Sequence, residues 1–119
     1  MIDASCLFCK IVAREIPSEV LHESDRVLAF RDIEPRAPSH VLIIPKEHVA
    51  SAAELDDRHG DVLVDIHQVA AHLATTEGID RSGWRLITNV GPDSGQVVFH
   101  LHYHLLGGRP LGPLVAPSE

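Results

Sequence analysis

Residues 100 to 106 read His-Leu-His-Tyr-His-Leu-Leu, and this alternation constrains the chain more than any other stretch. Successive side chains of a strand point to opposite faces, so residues two apart share a side. His100, His102 and His104 therefore lie together on a strand expected over Val97 to Leu106, with Leu101, Tyr103 and Leu105 facing the other way. The second set is a core face. The first is costly to assemble, because each imidazole needs hydrogen-bond partners and protonating one discourages its neighbours. Three explanations stand open. Histidine pairs at this spacing grip zinc; an imidazole can attack phosphorus while its neighbours manage charge and protons; or the cluster is structural and does no chemistry.

The rest of the chain supplies one domain around that strand. At 119 residues there is no room for a second. Cys6 to Val12 suits a short helix with Leu7, Phe8, Ile11 and Val12 on its apolar side, ended by Pro17. Val20 to Ser24 and Val27 to Ile33 read as strands around a polar turn. Pro35 and Pro38 force a loop, and His40 to Ile44 is the continuous apolar run of a strand covered on both faces. Asp56 and Asp57 cap a helix running to about Thr76, with Leu63, Ile66, Ala70 and Leu73 inward, Val62 and Val69 widening that stripe, and Gly78 as a left-handed stop. Trp84 to Asn89 is a further strand, Gly91 to Gly95 a loop, and the chain after Gly107 an irregular tail. Strands flank one good helix without strand-helix alternation, so the class is α+β.

Seventeen acidic against ten basic residues give a net charge of −7. That balance argues against nucleic acid as a partner, which needs a basic footprint, but leaves a small phosphorylated ligand open. No apolar run approaches the length of a membrane span, and the first residues lack the basic and apolar regions of a secretory signal. No membrane partner and a cytoplasmic address are expected. The two cysteines, Cys6 and Cys9, are too few and too close for a disulfide framework. A redox pair would follow a strand, which is missing here; two thiolate ligands to zinc, or a reduced thiol pair without function, are the other readings. His22, His59, His67 and His72 read as ordinary surface positions.

The histidine run resembles the signature of the histidine triad (HIT) nucleotide-binding proteins, His-φ-His-φ-His-φ-φ with φ hydrophobic. Leu28 to Ile33, Pro35, Ala37 to His40, Ile44 to Lys46, Asn89 to Gly91 and Gly95-Gln96 are similar to the Hint branch of that family, so the likeness covers Cys6 to Gly108. It implies a HIT-like fold, an antiparallel sheet with one long helix and a short N-terminal helix. It also implies a HIT domain over residues 1–108, an irregular tail over 109–119, and a homodimer. The implied activity is hydrolysis of purine nucleoside phosphoramidates of the adenosine 5'-monophosphoramidate type. His102 would attack the α-phosphorus, His104 would contact the phosphate, and His40 and His100 would complete the catalytic cluster. Asp32 would accept from the ribose hydroxyls beside Ile33, and Leu7, Phe8, Ile11 and Phe30 would form an apolar slot for the base. Asn89 would approach the phosphate, with backbone N–H groups of Gly95 and Gln96 near its oxygens. The resemblance further implies structural zinc held by Cys6, Cys9, His48 and His100. A zinc-bound His100 could not also serve the phosphate, which leaves His102, His104 and His40 for catalysis.

Two departures qualify the likeness. Val97 stands where the Hint branch usually carries a serine that contacts the scissile region, so turnover is expected to be slower or the preferred leaving group different. The tail lacks the tryptophan-containing ending of some relatives. Three rivals remain: a dinucleoside polyphosphate hydrolase of the fragile-histidine branch, which carries glutamine at the position of Asn89; a nucleotide-binding regulatory protein with weak catalysis; and a zinc hydrolase using all three triad histidines, which would lack an acidic general base.

Overall fold

The structure is a computed structural model that describes residues 5–116, so Met1 to Ala4 and the tail's last residues, Pro117 to Glu119, lie outside it. Five antiparallel strands form one sheet: β1 (Val20–Glu23), β2 (Val27–Arg31), β3 (Ser39–Pro45), β4 (Trp84–Thr88) and β5 (Tyr103–Gly107), in the order β1-β2-β3-β5-β4. A short helix, α1 (Leu7–Val12), and a long one, α2 (Gly60–Thr76), cover its two faces. The α+β class and the arrangement of helices and sheet are as expected from the sequence.

Central β3 is buried along its whole length because each face has its own helix. On one face Val41 and Ile43 join Val27, Ala29 and Leu105 against Ile66, Val69, Ala70 and Leu73 of α2. On the other, Leu42 and Ile44 join Leu28 and Phe30 against Phe8 and Ile11 of α1. Leu42 pairs with His104 and His40 with Leu106, so both imidazoles lie on the α1 side of the sheet. That register positions the site.

Four local expectations need correction. The strand expected over Val97 to Leu106 is regular only over Tyr103–Gly107. Before it, the Leu101 N–H donates to the Val49 carbonyl at 2.6 Å and the His102 carbonyl accepts from the Thr88 hydroxyl at 2.8 Å, so the backbone is tied outside the ladder. Helix α1 closes at Val12 as expected, but its stop is built at Arg14 rather than by Pro17. Arg14 takes the left-handed conformation (φ 65°), its N–H donates to Ile11 at 3.0 Å, and that of Glu15 to Lys10 at 2.8 Å, the paired bonds of a Schellman stop. On α2 the buried stripe is Ile66, Val69, Ala70, Leu73 and Ala74, with Leu63 only half-buried. His59 is no surface residue: it is 5% exposed, and its ring accepts from the Asp56 N–H at 3.0 Å. With Asp56 accepting in return, histidine takes the place that Glu or Gln fills in the usual capping box.

Candidate functional site

Backbone groups assign a protonation state to each imidazole. A carbonyl can only accept, so the 2.8 Å contact between His102 Nδ1 and the His100 carbonyl puts the proton on Nδ1. His102 Nε2 is left with its lone pair free. His40 is set the opposite way: its Nδ1 accepts from the Arg36 N–H at 3.0 Å, so Nε2 carries the hydrogen. That hydrogen faces His104 Nδ1 at 2.9 Å and Asp32 Oδ2 at 3.4 Å. Asp32 is itself held, accepting from the Glu34 N–H at 2.8 Å. His104, accepting at Nδ1, presents an Nε2–H. The rings of His102 and His104 are 5.1 Å apart, so a bare nitrogen stands beside an N–H donor.

Burial keeps His40 and His104 neutral. It lowers the pKa of His40 below the usual histidine value, against the pull of Asp32 and with help from Arg36. His104 falls to about 4, first through burial and then through the neighbouring His102 and His40. Desolvation penalises the imidazolium while leaving the neutral ring, the form with a usable lone pair, in place.

The other residues singled out from the sequence divide into groups. Phe8 stands edge-on to His102 with centroids 5.1 Å apart, and edge-on to Phe30 at 5.7 Å. Phe8, Ile11 and Phe30 are buried against one another and against Leu28, Leu42 and Ile44, so these three fill their own space. Leu7 is 46% and Ile33 92% exposed. Asn89 is half-buried at the end of β4. The N–H groups of Gly95 and Gln96 turn inward to the carbonyls of Pro92 (3.0 Å) and Gly91 (3.2 Å), closing the loop's short 3-10 turn. Sequence reasoning missed the Gln96 side chain. It is buried, donates to the carbonyls of Ala50 (3.0 Å) and Val98 (3.1 Å), and accepts from the Gly91 N–H at 2.9 Å. It clamps the glycine-framed loop and leaves Val97 83% exposed.

His100 faces away from this pair. Its Nε2–H donates to the Pro45 carbonyl at 2.8 Å, which frees Nδ1. That nitrogen lies 3.4 Å from Cys6 Sγ and 3.5 Å from Cys9 Sγ, and His48 Nδ1 lies 3.4 Å from Cys9 Sγ. All four ligand atoms fall within 4.8 Å of one another. A tetrahedral zinc with bonds of about 2.3 Å to sulfur and about 2.0 Å to nitrogen separates S from N by about 3.5 Å, so this donor set fits the ion. The Pro45 carbonyl also supplies the outer hydrogen bond that metal-binding histidines normally make.

Asp32, His40 and His104 form a second cluster within 4.8 Å. The Arg36 N–H argues against a metal there, since it holds the proton on the very nitrogen of His40 that an ion would need. This is a hydrogen-bond relay. Among the described residues, no group of metal-competent side chains includes His102, which counts against a zinc centre built from all three triad histidines.

Comparison with known proteins agrees with this geometry. The HIT domain family profile matches residues 13–111. Purine nucleoside phosphoramidase of Escherichia coli K12 is 48% identical over 110 residues, covering 92% of either chain. A 14 kDa zinc-binding protein of Zea mays is 45% identical over 111 residues, 92% of this chain and 86% of the other. The solved structure of a HIT family hydrolase from Clostridium thermocellum superposes with a TM-score of 0.92 at 52% identity, covering 96% of this chain and 99% of that one. With the histidine ladder, the sheet register that carries it and these relatives in agreement, the chain belongs to the HIT domain family.

Proposed function

We propose that this HIT-family hydrolase cleaves purine nucleoside phosphoramidates through a nucleotidyl intermediate on His102. The observation that carries the reading is the pairing of a bare His102 Nε2 with the N–H of His104, both held by backbone and relay hydrogen bonds. An imidazole is a good nucleophile when neutral, and its phosphoryl adduct is a good leaving group. His102 Nε2 attacks the α-phosphorus as the P–N bond breaks. The amine departs with the bonding pair and takes a proton from water. His104 Nε2–H steadies the charge on the phosphoryl oxygens, and the Asp32–His40 pair holds His104 in that orientation. Water then attacks phosphorus, the His102–P bond breaks, and the nucleoside monophosphate leaves. Asp32, accepting from ribose hydroxyls, and exposed Leu7 and Ile33 are assigned to the nucleoside, with Phe8, Ile11 and Phe30 behind them. Asn89, Gly95, Gln96 and Val97 border the phosphate end. The name of the Escherichia coli relative supports the purine and the phosphoramidate.

Cys6, Cys9, His48 and His100 would hold a structural zinc that pins α1 to the segment before β5, a reading the name of the maize relative also supports. A homodimer is part of the proposal; edge strand β4, with Trp84 37% exposed, and exposed Val64 on α2 offer surface for it.

The test is a substrate panel on wild type and His102→Ala. Wild type should release AMP from adenosine 5'-monophosphoramidate. His102→Ala should lower kcat/KM by about a thousandfold or more, the scale of losing a nucleophile, with AMP affinity retained. Turnover surviving in the variant would move the nucleophile elsewhere. Preference for dinucleoside polyphosphates would favour the other branch.

A further inference from the structure

The donor at His40 Nδ1, the Arg36 N–H, belongs to a largely exposed loop, residues 32–38, between β2 and β3. At the loop's start the Asp32 N–H donates to the His40 carbonyl at 3.1 Å and the Glu34 N–H to Asp32 Oδ1 at 2.8 Å. Beyond Glu34 the hold comes from the C-terminal tail. Arg109 Nη2 donates to the Arg36 carbonyl at 2.7 Å, while its Nη1 donates to the Pro110 carbonyl at 2.9 Å. Arg36 is thus gripped by the tail at its carbonyl and grips His40 through its N–H. Gly108 brings the tail there. Its φ is +99°, and a Cβ built on it would lie 2.8 Å from Pro38 Cβ, so a side chain at this position would push the two segments apart. The strand side of His40 is fixed separately: the Ser39 hydroxyl donates to Glu77 at 2.9 Å, and Arg31 holds both oxygens of that carboxylate at 2.7 and 2.9 Å.

We propose that Arg109 is a positioning residue: by holding the Arg36 carbonyl it fixes the loop whose N–H keeps His40 in its Nε2–H form. The proposal rests on the roles given to His102 and His104 and extends them into the tail. The contacts run without a gap from Arg109 to Arg36 (2.7 Å), from Arg36 to His40 (3.0 Å) and from His40 to His104 (2.9 Å). A guanidinium donating to carbonyls makes charge-assisted bonds, and its fork over two of them fixes direction as well as distance. When the loop drifts, Nδ1 of His40 loses its donor. The ring then carries its hydrogen on Nδ1 in a share of molecules, because the tautomer of an imidazole follows the bonds its two nitrogens make. Bare Nε2 of His40 would face His104 Nδ1, which must donate in turn, and the Nε2–H beside His102 is lost.

Long-range proton–nitrogen correlation spectra of the histidine rings read the tautomer directly and need no substrate. Wild type should show His40 with a protonated Nε2 and a bare Nδ1. Arg109→Ala should draw the two nitrogen shifts of His40 together, the mark of mixed tautomers. It should also lower kcat for adenosine 5'-monophosphoramidate by about tenfold with KM within about twofold, inside the range that a slightly misplaced site loses. Arg109→Lys keeps a cationic donor without the fork and should recover part of both effects. Gly108→Ala, which drives Pro38 away, should reproduce the ring signature of Arg109→Ala. Arg85→Ala removes a different tail contact, the 3.0 Å bond to the Gly112 carbonyl, and should match wild type. Unchanged His40 shifts in Arg109→Ala, or the same change in Arg85→Ala, would overturn the assignment. So would a lower urea midpoint in Arg109→Ala with shifts and kcat unmoved, since the contact would then serve stability alone. Absence of wild-type turnover, with the ring shifts responding to Arg109→Ala as expected, would overturn the phosphoramidase reading and leave the role of Arg109 standing.

Discussion

Three backbone groups, the carbonyls of His100 and Pro45 and the N–H of Arg36, give chemically identical side chains different tasks. His102 donates to the first and keeps a nucleophilic Nε2; His100 donates to the second and turns Nδ1 to the cysteines; His40 accepts from the third and passes a hydrogen towards His104. At this same scale Gly107 holds the end of β5. A Cβ built there would lie 2.6 Å from Ile79 Cδ1 and 3.3 Å from the Gly83 carbonyl oxygen. Ile79 is itself only 3% exposed, so its side chain has little room to yield. Gly107→Ala should therefore cost about 1–3 kcal/mol, read as a lower urea midpoint at unchanged m-value. An unchanged midpoint would mean that the loop before β4 yields freely. The ladder of histidines was legible from their spacing; the backbone partners that separate their roles were not, since Pro45 lies 55 residues from His100, and the short-range bonds from Arg36 and to the His100 carbonyl depend on ring orientations that spacing does not report.

Among the elements, α1 is the one least able to stand alone. Six residues are far below the roughly 12–15 at which an isolated helix becomes marginal in water. Its order comes from burial of Phe8 and Ile11, from the Cys6 cap and from the four-ligand cluster. With zinc bound as proposed, chelation should raise amide exchange across residues 7–13 by at least tenfold while α2 stays protected. Exchange that is unmoved by chelation would assign the order of α1 to its apolar contacts alone. The helix itself was readable from its apolar side, but not its stop: Arg14 in a left-handed conformation carries no sequence signal of the kind glycine would. The strand before β5 was over-extended for a related reason. Alternation reports which face a side chain takes, while the bonds of Leu101 to Val49 and of Thr88 to His102 end the ladder from outside the segment.

For the molecule as a whole, buried neutral histidines couple folding to acidity. His104 titrates near 4 in the folded chain, mainly because it is buried, and near 6.5 when unfolded. Between those values the unfolded chain binds the extra proton, so stability is full above about pH 6.5 and is lost as pH falls towards 4. His40, also lowered by burial, acts in the same direction. One such proton contributes a slope of at most about 1.4 kcal/mol per pH unit. His104→Gln should flatten the denaturation midpoint against pH in that window; a curve parallel to wild type would show that other groups govern the acid limb.

The amino-acid sequence by itself determined the α+β class, the order of strands and helices along the chain, and the three imidazoles sharing a side, because these follow from local periodicity and turn chemistry. Only the tertiary structure decided that β3 is sandwiched between two helices, that His59 caps rather than faces solvent, and that the histidines divide between a sulfur-lined cluster and a proton-holding relay. Apart from the His59 cap, whose partner Asp56 is three residues away, those outcomes depend on partners distant along the chain, such as Cys6 with His100 and His40 with His104, and such contacts act only once folding has brought their two ends together.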